Sequence, residues 1–491
     1  MRRVEPRQLS FAFADNPQGS GGAAALDASE AKAWLLLRAS DKEDRGSTAQ
    51  VDGGRHLLAA AASVPNLARA LLKVARNKGA AGVDGRSVEE VIESARLLLP
   101  RLRHALLSGC YEPGEIRRVW IPKPGGQGQR GLGIPNVVDR WIQQAVLQVL
   151  EPIFEPTFHA SSHGFRPRRG ARTAIAEAKG YVSEGCDVVV DIDLSNFFDR
   201  VNHQRLLSRL AERFEDRRLL KLISRMLRAK VVLPDGTHVS NEQGTPQGGP
   251  LSPLLSNIVL NELDWELHRR GVRFVRYADD CNIYVRSERA GDRVLASIRR
   301  FIEGRLRLKV NQTKSSVTRA DRLHFLGFRL VRNEAGVVEV HFSKRTRDRM
   351  TQRIRAMTPR MWGHSLGFCI ERLNRYLSGW TAYFGLCSES EVYLLGRFDA
   401  HVRRRLRAII VRQKKRPRHL HRHLRSRGVP STMAARTAFR RLGVWRQSNM
   451  PGLTRAYGNA WFHERLVSLA TRWAELNAPP RVSTGQLLLF G

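Results

Sequence analysis

The chain has 491 residues, with 83 Lys and Arg against 46 Asp and Glu, and a formal net charge of +37. That balance excludes an ordinary acidic cytosolic enzyme, and 42% apolar residues excludes a mainly disordered basic tail. The length suits about two to four domains, and a charge of this size favours a polyanion, because neutralising phosphates releases counterions. Nucleic acid is the first expectation and an anionic membrane surface the second. Cys110, Cys186, Cys281, Cys369 and Cys387 show no CxxC or Cys/His zinc spacing, and read as thiols of a reducing cytoplasm. No continuous apolar stretch forms a secretory leader or a membrane span, so the expected setting is cytoplasmic, nucleic-acid-associated and without a membrane partner.

Residues 1–55, rich in Gly, Ala, Ser and Asp, read as a loosely ordered extension with one helix near Ala31 to Arg38. The pattern then becomes dense. Helices are expected at Asn66 to Arg76 and up to Ser108, followed by the strand RRVWIP, the turn GGQGQ, the strand RGLGIP and a helix from Val137 to Phe154. The run CDVVVDIDL reads as a buried strand ending in carboxylates. Helices at His203 to Arg213 and Arg218 to Arg228 come next, then a hairpin turning at Asp235-Gly236. After the Gly- and Pro-dense loop QGTPQGGPLSP, helical spacing runs from Leu251 to Arg270. Two short strands then flank Ala278-Asp279-Asp280, and Asp292 to Arg307 returns to helix. Beyond residue 330 a strand pair leads into helices at Lys344 to Met357, Leu366 to Phe384 and Glu391 to Arg412. From His401 to His463 there is not one Asp or Glu, while Lys and Arg recur throughout. Such a run repels itself unless something anionic lies against it, which marks Arg403, Arg404, Arg405, Lys414, Lys415 and Arg416 as a nucleic-acid surface.

Chemistry concentrates at two carboxylate sites. Asp191 and Asp193 are two apart on a strand and therefore share a face, while Asp279 and Asp280 occupy a tight turn between strands. Gathered carboxylates raise one another's pKa unless a divalent cation sits among them, and Mg²⁺ held by one or two carboxylates plus substrate phosphates is the economical partner. Lys123 and Arg130 flank a flexible turn that can fold over a triphosphate. Arg166, Arg168 and Arg169 precede a helix start, a second place for phosphate.

These residues also carry a family resemblance. RYADD resembles the Tyr-X-Asp-Asp signature of reverse transcriptases, and DIDLSNFFD, GTPQGGPLSPLLSNIVLNELD, KVNQTKSS and FLGF are similar to the blocks that surround it, in order. With IPKPGGQGQRGLGIPNVVDRWIQQAV, GFRPRRGARTAI and RLNRYLSGWTAYFG, residues 60 to 410 resemble a bacterial group II intron-encoded reverse transcriptase and maturase. The resemblance implies an α+β right-hand polymerase, with fingers and palm over 56–330, a helical thumb and maturase region over 331–412, and a basic nucleic-acid-binding region over 413–491. In a departure from many relatives, nothing after Phe398 resembles their HNH endonuclease, so none is expected there. By motif it implies two Mg²⁺ ions held by Asp193, Asp279, Asp280 and the Leu194 carbonyl, with Asp191 as the competing assignment for Asp193. Phe198 becomes the ring that excludes a ribose 2′-hydroxyl. Lys123, Arg130, Gln247 and Lys314 become nucleotide contacts, with Arg166 and Arg168 on nucleic acid. The implied partners are group II intron RNA, an RNA template, a DNA primer or target, and deoxynucleoside triphosphates. A splicing cofactor without polymerase activity, and a reverse transcriptase recruited to defence or diversity generation, are the alternatives.

Overall fold

The computed structural model describes residues 54–122, 128–359 and 363–478, so the expected N-terminal extension and its helix fall outside the described residues. The chain divides into two compact units, residues 1–178 with 188–317 and residues 179–187 with 318–491.

In the first unit the helices Val64–Arg76, Ala95–Ser108 and Val137–Phe154 pack around one apolar core, with Trp141, Ile142, Ala145 and Val146 fully buried. Trp141 lies wholly inside because its indole N–H donates to the Leu67 carbonyl at 2.6 Å, leaving no polar atom unpaired. Beside these helices runs a four-stranded sheet of order β2-β1-β4-β5, from β1 (Ile116–Pro122), β2 (Gln129–Ile134), β4 (Val231–Val232) and β5 (His238–Val239). The β4–β5 hairpin turns at Asp235-Gly236 as expected, with the Thr237 amide donating to the Asp235 carboxylate at 2.9 Å. The second sheet, of order β6-β7-β3-β8, contains β3 (Val188–Ile192), β6 (Arg273–Tyr277), β7 (Asp280–Val285) and β8 (Ser316–Arg319). Its central strands β3 and β7 are antiparallel, pairing Val190 with Ile283 and Asp191 with Asn282. Alternation sends Val188 and Val190 towards the core and the aspartates to the opposite face. The helices Ser252–Arg269 and Glu288–Phe301 belong to the same unit, and the latter continues through one π-helical turn, Ile302–Leu306.

The second unit contains the β9–β10 hairpin (Phe328–Arg332, Val338–Phe342), after which the chain continues as helices. Ser343 and Ser365 each accept the N3 amide of the helix that follows, which fixes the starts of Lys344–Met357 and Leu366–Phe384 where the sequence places them. Phe328, Phe342, Trp380 and Phe384 form its aromatic core, with Trp380 stacked on Phe384 at 4.6 Å between centroids. The long helix Val392–Gln413 is followed by short ones ending at Leu469–Asn477. No helix among the described residues is long and apolar enough to cross a membrane. All five cysteines are free thiols, four of them buried.

Candidate active site

β3 ends where its alternation brings carboxylates to the open face. Extending its register with β7 by one step beyond the Ile192–Cys281 pair sets Asp193 beside Asp280. β6 and β7 are closed by a two-residue turn, Ala278-Asp279, between the paired Tyr277 and Asp280. Ala278 takes a left-handed φ of 57°, as the first position of such a turn demands. The strand ends therefore bring Asp191, Asp193, Asp279 and Asp280 together from two stretches of chain.

Gathering negative charge this tightly has electrostatic consequences. Burial, then the charge of Asp193, pushes the Asp191 carboxyl up to about 6. Asp280 is exposed, yet the protein packed around it thins its hydration, and Asp279, Asp191 and Asp193 add repulsion, so that its carboxyl is pushed up to about 7. Burial also raises Asp279, while Arg130 and Arg276 pull it down. Among the described residues no group of three or more His, Cys, Asp or Glu forms a ready-made metal cage. The donor chemistry still fits a divalent ion that completes its shell with substrate phosphates. Hard carboxylate oxygens crowd together at a cost that positive charge would relieve.

Around the carboxylates, Lys314 places its ammonium 3.9 Å from the Asp193 carboxylate. The Asp193 amide donates to the Ser315 hydroxyl at 3.0 Å, and its carbonyl accepts the Asn311 amide at 2.8 Å. Because Asp193 O and Ser195 N make the bonds to the segment around Val310, across an isolated antiparallel bridge, the intervening Leu194 carbonyl points away from that segment. Phe198 sits edge-on to the buried Phe197, ring centroids 5.2 Å apart. Its carbonyl accepts the Thr245 amide, and Gly244, at φ +94°, approaches so closely that a Cβ there would lie 2.7 Å from that same oxygen. The Gly/Pro loop is thus moulded onto the Phe198 segment. Gln247 follows in the same loop, its carbonyl accepting the Gly133 amide of β2 at 2.9 Å. Arg130 is exposed on β2, where its charge reaches Asp279 and Asp280, and Lys123 lies outside the described residues.

Three residues expected on nucleic acid, Arg166, Arg404 and Arg405, also make contacts within the protein. Arg166 is buried, its guanidinium holding the Glu155 carboxylate at 2.9 Å and the carbonyls of His159 and Ser162, so it braces the fold. Arg404 stacks 4.0 Å from the Trp445 ring centroid and donates to the Trp445 carbonyl. Arg405 donates to the hydroxyl and carbonyl of Thr358. A guanidinium can satisfy several helix-end carbonyls at once, which is why basic runs supply internal braces as well as surface. Arg168, Lys415 and Arg416 are exposed, whereas Arg403 and Lys414 are half-buried.

The residue that sequence reasoning missed is Arg276, fully buried and paired with Asp264 at 2.6 Å. Its signal was a charged side chain inside the otherwise apolar strand FVRY.

Comparison with known proteins fits this geometry. A profile for reverse transcriptase (RNA-dependent DNA polymerase) matches residues 121–330, and one for the group II intron maturase-specific domain matches residues 347–428. The chain thus carries a reverse transcriptase domain, of a family that generally uses divalent metal ions. Protein YkfC of Escherichia coli is 36% identical over 312 residues, 55% of this chain and 81% of that protein. Group II intron-encoded protein LtrA of Lactococcus lactis is 39% identical over 166 residues, 34% of this chain but only 27% of LtrA. Among solved structures, a Cas6-RT-Cas1–Cas2 complex matches at 22% identity over 50% of this chain and 42% of the other, with a TM-score of 0.32. The chain belongs to the group II intron-encoded reverse transcriptase and maturase family.

Proposed function

We propose that this chain copies RNA into DNA at the Asp193–Asp279 site and that its maturase-specific region binds group II intron RNA to promote splicing and mobility. The observation that carries the reading is the meeting of the β3 and β7 carboxylates at one open strand end, in a chain that bears both family domains. In the reaction, a primer 3′-hydroxyl attacks the α-phosphorus of a deoxynucleoside triphosphate and pyrophosphate leaves, with no covalent enzyme intermediate. Asp193 and Asp279 would hold two divalent ions, Mg²⁺ by the chemistry of hard oxygen donors, with Asp280 and the Leu194 carbonyl in support. Such ions, when bound, acidify the attacking hydroxyl and neutralise charge on the leaving group. Arg130 and Lys123 would grip the triphosphate, and Gln247 would meet the incoming nucleotide. Lys314 would hold the Asp193 carboxylate in place and offset its charge. Arg168, Arg403, Arg404, Arg405, Lys414, Lys415 and Arg416 remain the proposed nucleic-acid contacts.

Primer extension on an RNA template with deoxynucleotides, with Mg²⁺ and with a chelator, tests the polymerase; no extension under any divalent ion would end that reading. Splicing of intron RNA at low Mg²⁺, with and without protein, tests the maturase role separately. Phe198→Ala should open the space where a 2′-hydroxyl would sit. Discrimination against ribonucleotides should then fall about 10- to 100-fold, read as the ratio of kcat/KM for the two nucleotide types. Unchanged discrimination would return Phe198 to a packing role.

A further inference from the structure

Directly beneath the carboxylate turn lies a buried cation that none of the steps above uses. Arg276, the penultimate residue of β6, is 0% exposed and spends all five of its N–H groups on the protein. Nε and one terminal nitrogen donate to the two oxygens of Asp264, at 2.7 and 2.6 Å, and the latter nitrogen also donates to the Ser162 hydroxyl at 2.7 Å. The other terminal nitrogen donates to the Asn257 side-chain oxygen at 2.9 Å and to the Ala278 carbonyl at 2.8 Å. The backbone joins in, since the Arg276 amide donates to Ser161 O at 2.9 Å and its carbonyl accepts the His163 amide at 2.8 Å. Asn257 in turn donates to the Gly164 carbonyl at 2.9 Å, and Gly164 sits so close to the turn that a Cβ on it would lie 2.2 Å from the Ala278 nitrogen. One guanidinium therefore ties three pieces together: the helix Ser252–Arg269, the segment Ser161–Gly164, and the turn that carries Asp279.

Stability alone gives no reason for this arrangement. A buried ion pair costs so much desolvation that an apolar pair of similar volume often serves as well or better. Asp264 also needs only two of the five donors. The bond that distinguishes Arg276 goes to Ala278, a non-glycine residue in the left-handed region, where such a conformation persists only if its surroundings over-determine it. We propose that Arg276 is a positioning residue for nucleotidyl transfer, its guanidinium locked by Asp264 and Asn257 so that it holds the Ala278 carbonyl and thereby the orientation of Asp279. Lysine could keep the charge against Asp264 but lacks the planar fork that reaches Asn257 and Ala278 together. The inference rests on the polymerase reading for its kinetic consequence, though not for its structural one.

The test uses the full chain with the double substitution Arg276→Met/Asp264→Leu, which leaves no orphaned charge, and with Arg276→Lys, which keeps the ion pair. Thermal unfolding, amide hydrogen exchange at Ala278, Asp279 and Asp280, affinity for an RNA template with a DNA primer, and steady-state kinetics are read together. The double variant should unfold at or above the wild-type midpoint and bind primer–template as the wild type does. Its turn amides should exchange faster and its kcat should fall about 100-fold with little change in KM, the cost of a misplaced reacting group. Arg276→Lys should fold, with kcat at least about tenfold lower. A folded double variant with wild-type kcat and turn protection overturns the proposal; if that protein does not fold, full kcat and protection in Arg276→Lys overturns it instead. Absence of extension by the wild type would sink the polymerase reading, and the exchange data would still decide whether Arg276 holds the turn.

Discussion

Asp279→Asn should lower primer extension by about 10³-fold or more while leaving RNA binding intact and thermal stability equal or higher. Losing a carboxylate that compensates charge in the transition state forfeits several kcal/mol, and about 4 kcal/mol is a factor of 10³. The stability gain follows from the crowding, because burial and the neighbouring Asp193 both disfavour an ionised Asp279 and a neutral amide removes that cost. Extension assays and thermal unfolding of the same preparation check both halves, and wild-type extension by the variant would remove Asp279 from the chemistry. The companion substitutions settle the ambiguity on β3. Asp193→Asn should match the loss seen for Asp279→Asn, whereas Asp191→Asn, set one pleat further into the sheet against Asn282, should cost only about tenfold. The reverse ranking would make Asp191 the ligand.

Gly164→Ala should be the most damaging methyl group that can be added near the site. The new carbon would lie 2.2 Å from the Ala278 nitrogen and 2.9 Å from the Tyr277 carbonyl carbon, both backbone atoms that no side-chain rotation can clear. Overpacking of this kind costs about 3 kcal/mol, seen as a lowered unfolding midpoint. The displaced turn should cost a further factor of about 100 in kcat, since a 1 Å misplacement is enough for that loss. A Gly164→Ala protein with unchanged stability and rate would mean that the Ser161–Gly164 segment does not clamp the turn.

Much of this was legible because its signals are local. The strand CDVVVDIDL, the hairpin at Asp235-Gly236 and the helices Val137–Phe154, Lys344–Met357 and Leu366–Phe384 announce themselves through β-branched runs, turn chemistry and 3.6-residue spacing. The pairing of the aspartates was legible for the same reason, since two-residue spacing and a tight turn are enough to aim them. The protein partners of Arg166, Arg404 and Arg405 were not legible, because charge on a page carries no burial. Whether a guanidinium faces water or a helix-end carbonyl depends on which distant segment packs over it, here Glu155, Trp445 and Thr358.

The sequence by itself determined most of the elements between Val64 and Gln413, the polyanion preference and which carboxylates stand at strand ends, all properties of neighbouring residues and of total charge. Only the tertiary structure decided that Lys314 reaches Asp193, that Gly244 seats the loop on Phe198, and that Arg276, Asp264, Asn257 and Gly164 close beneath Ala278. Those contacts join residues from 12 to more than a hundred positions apart along the chain. Their energy comes from desolvation and exact fit at close range, which no spacing rule encodes.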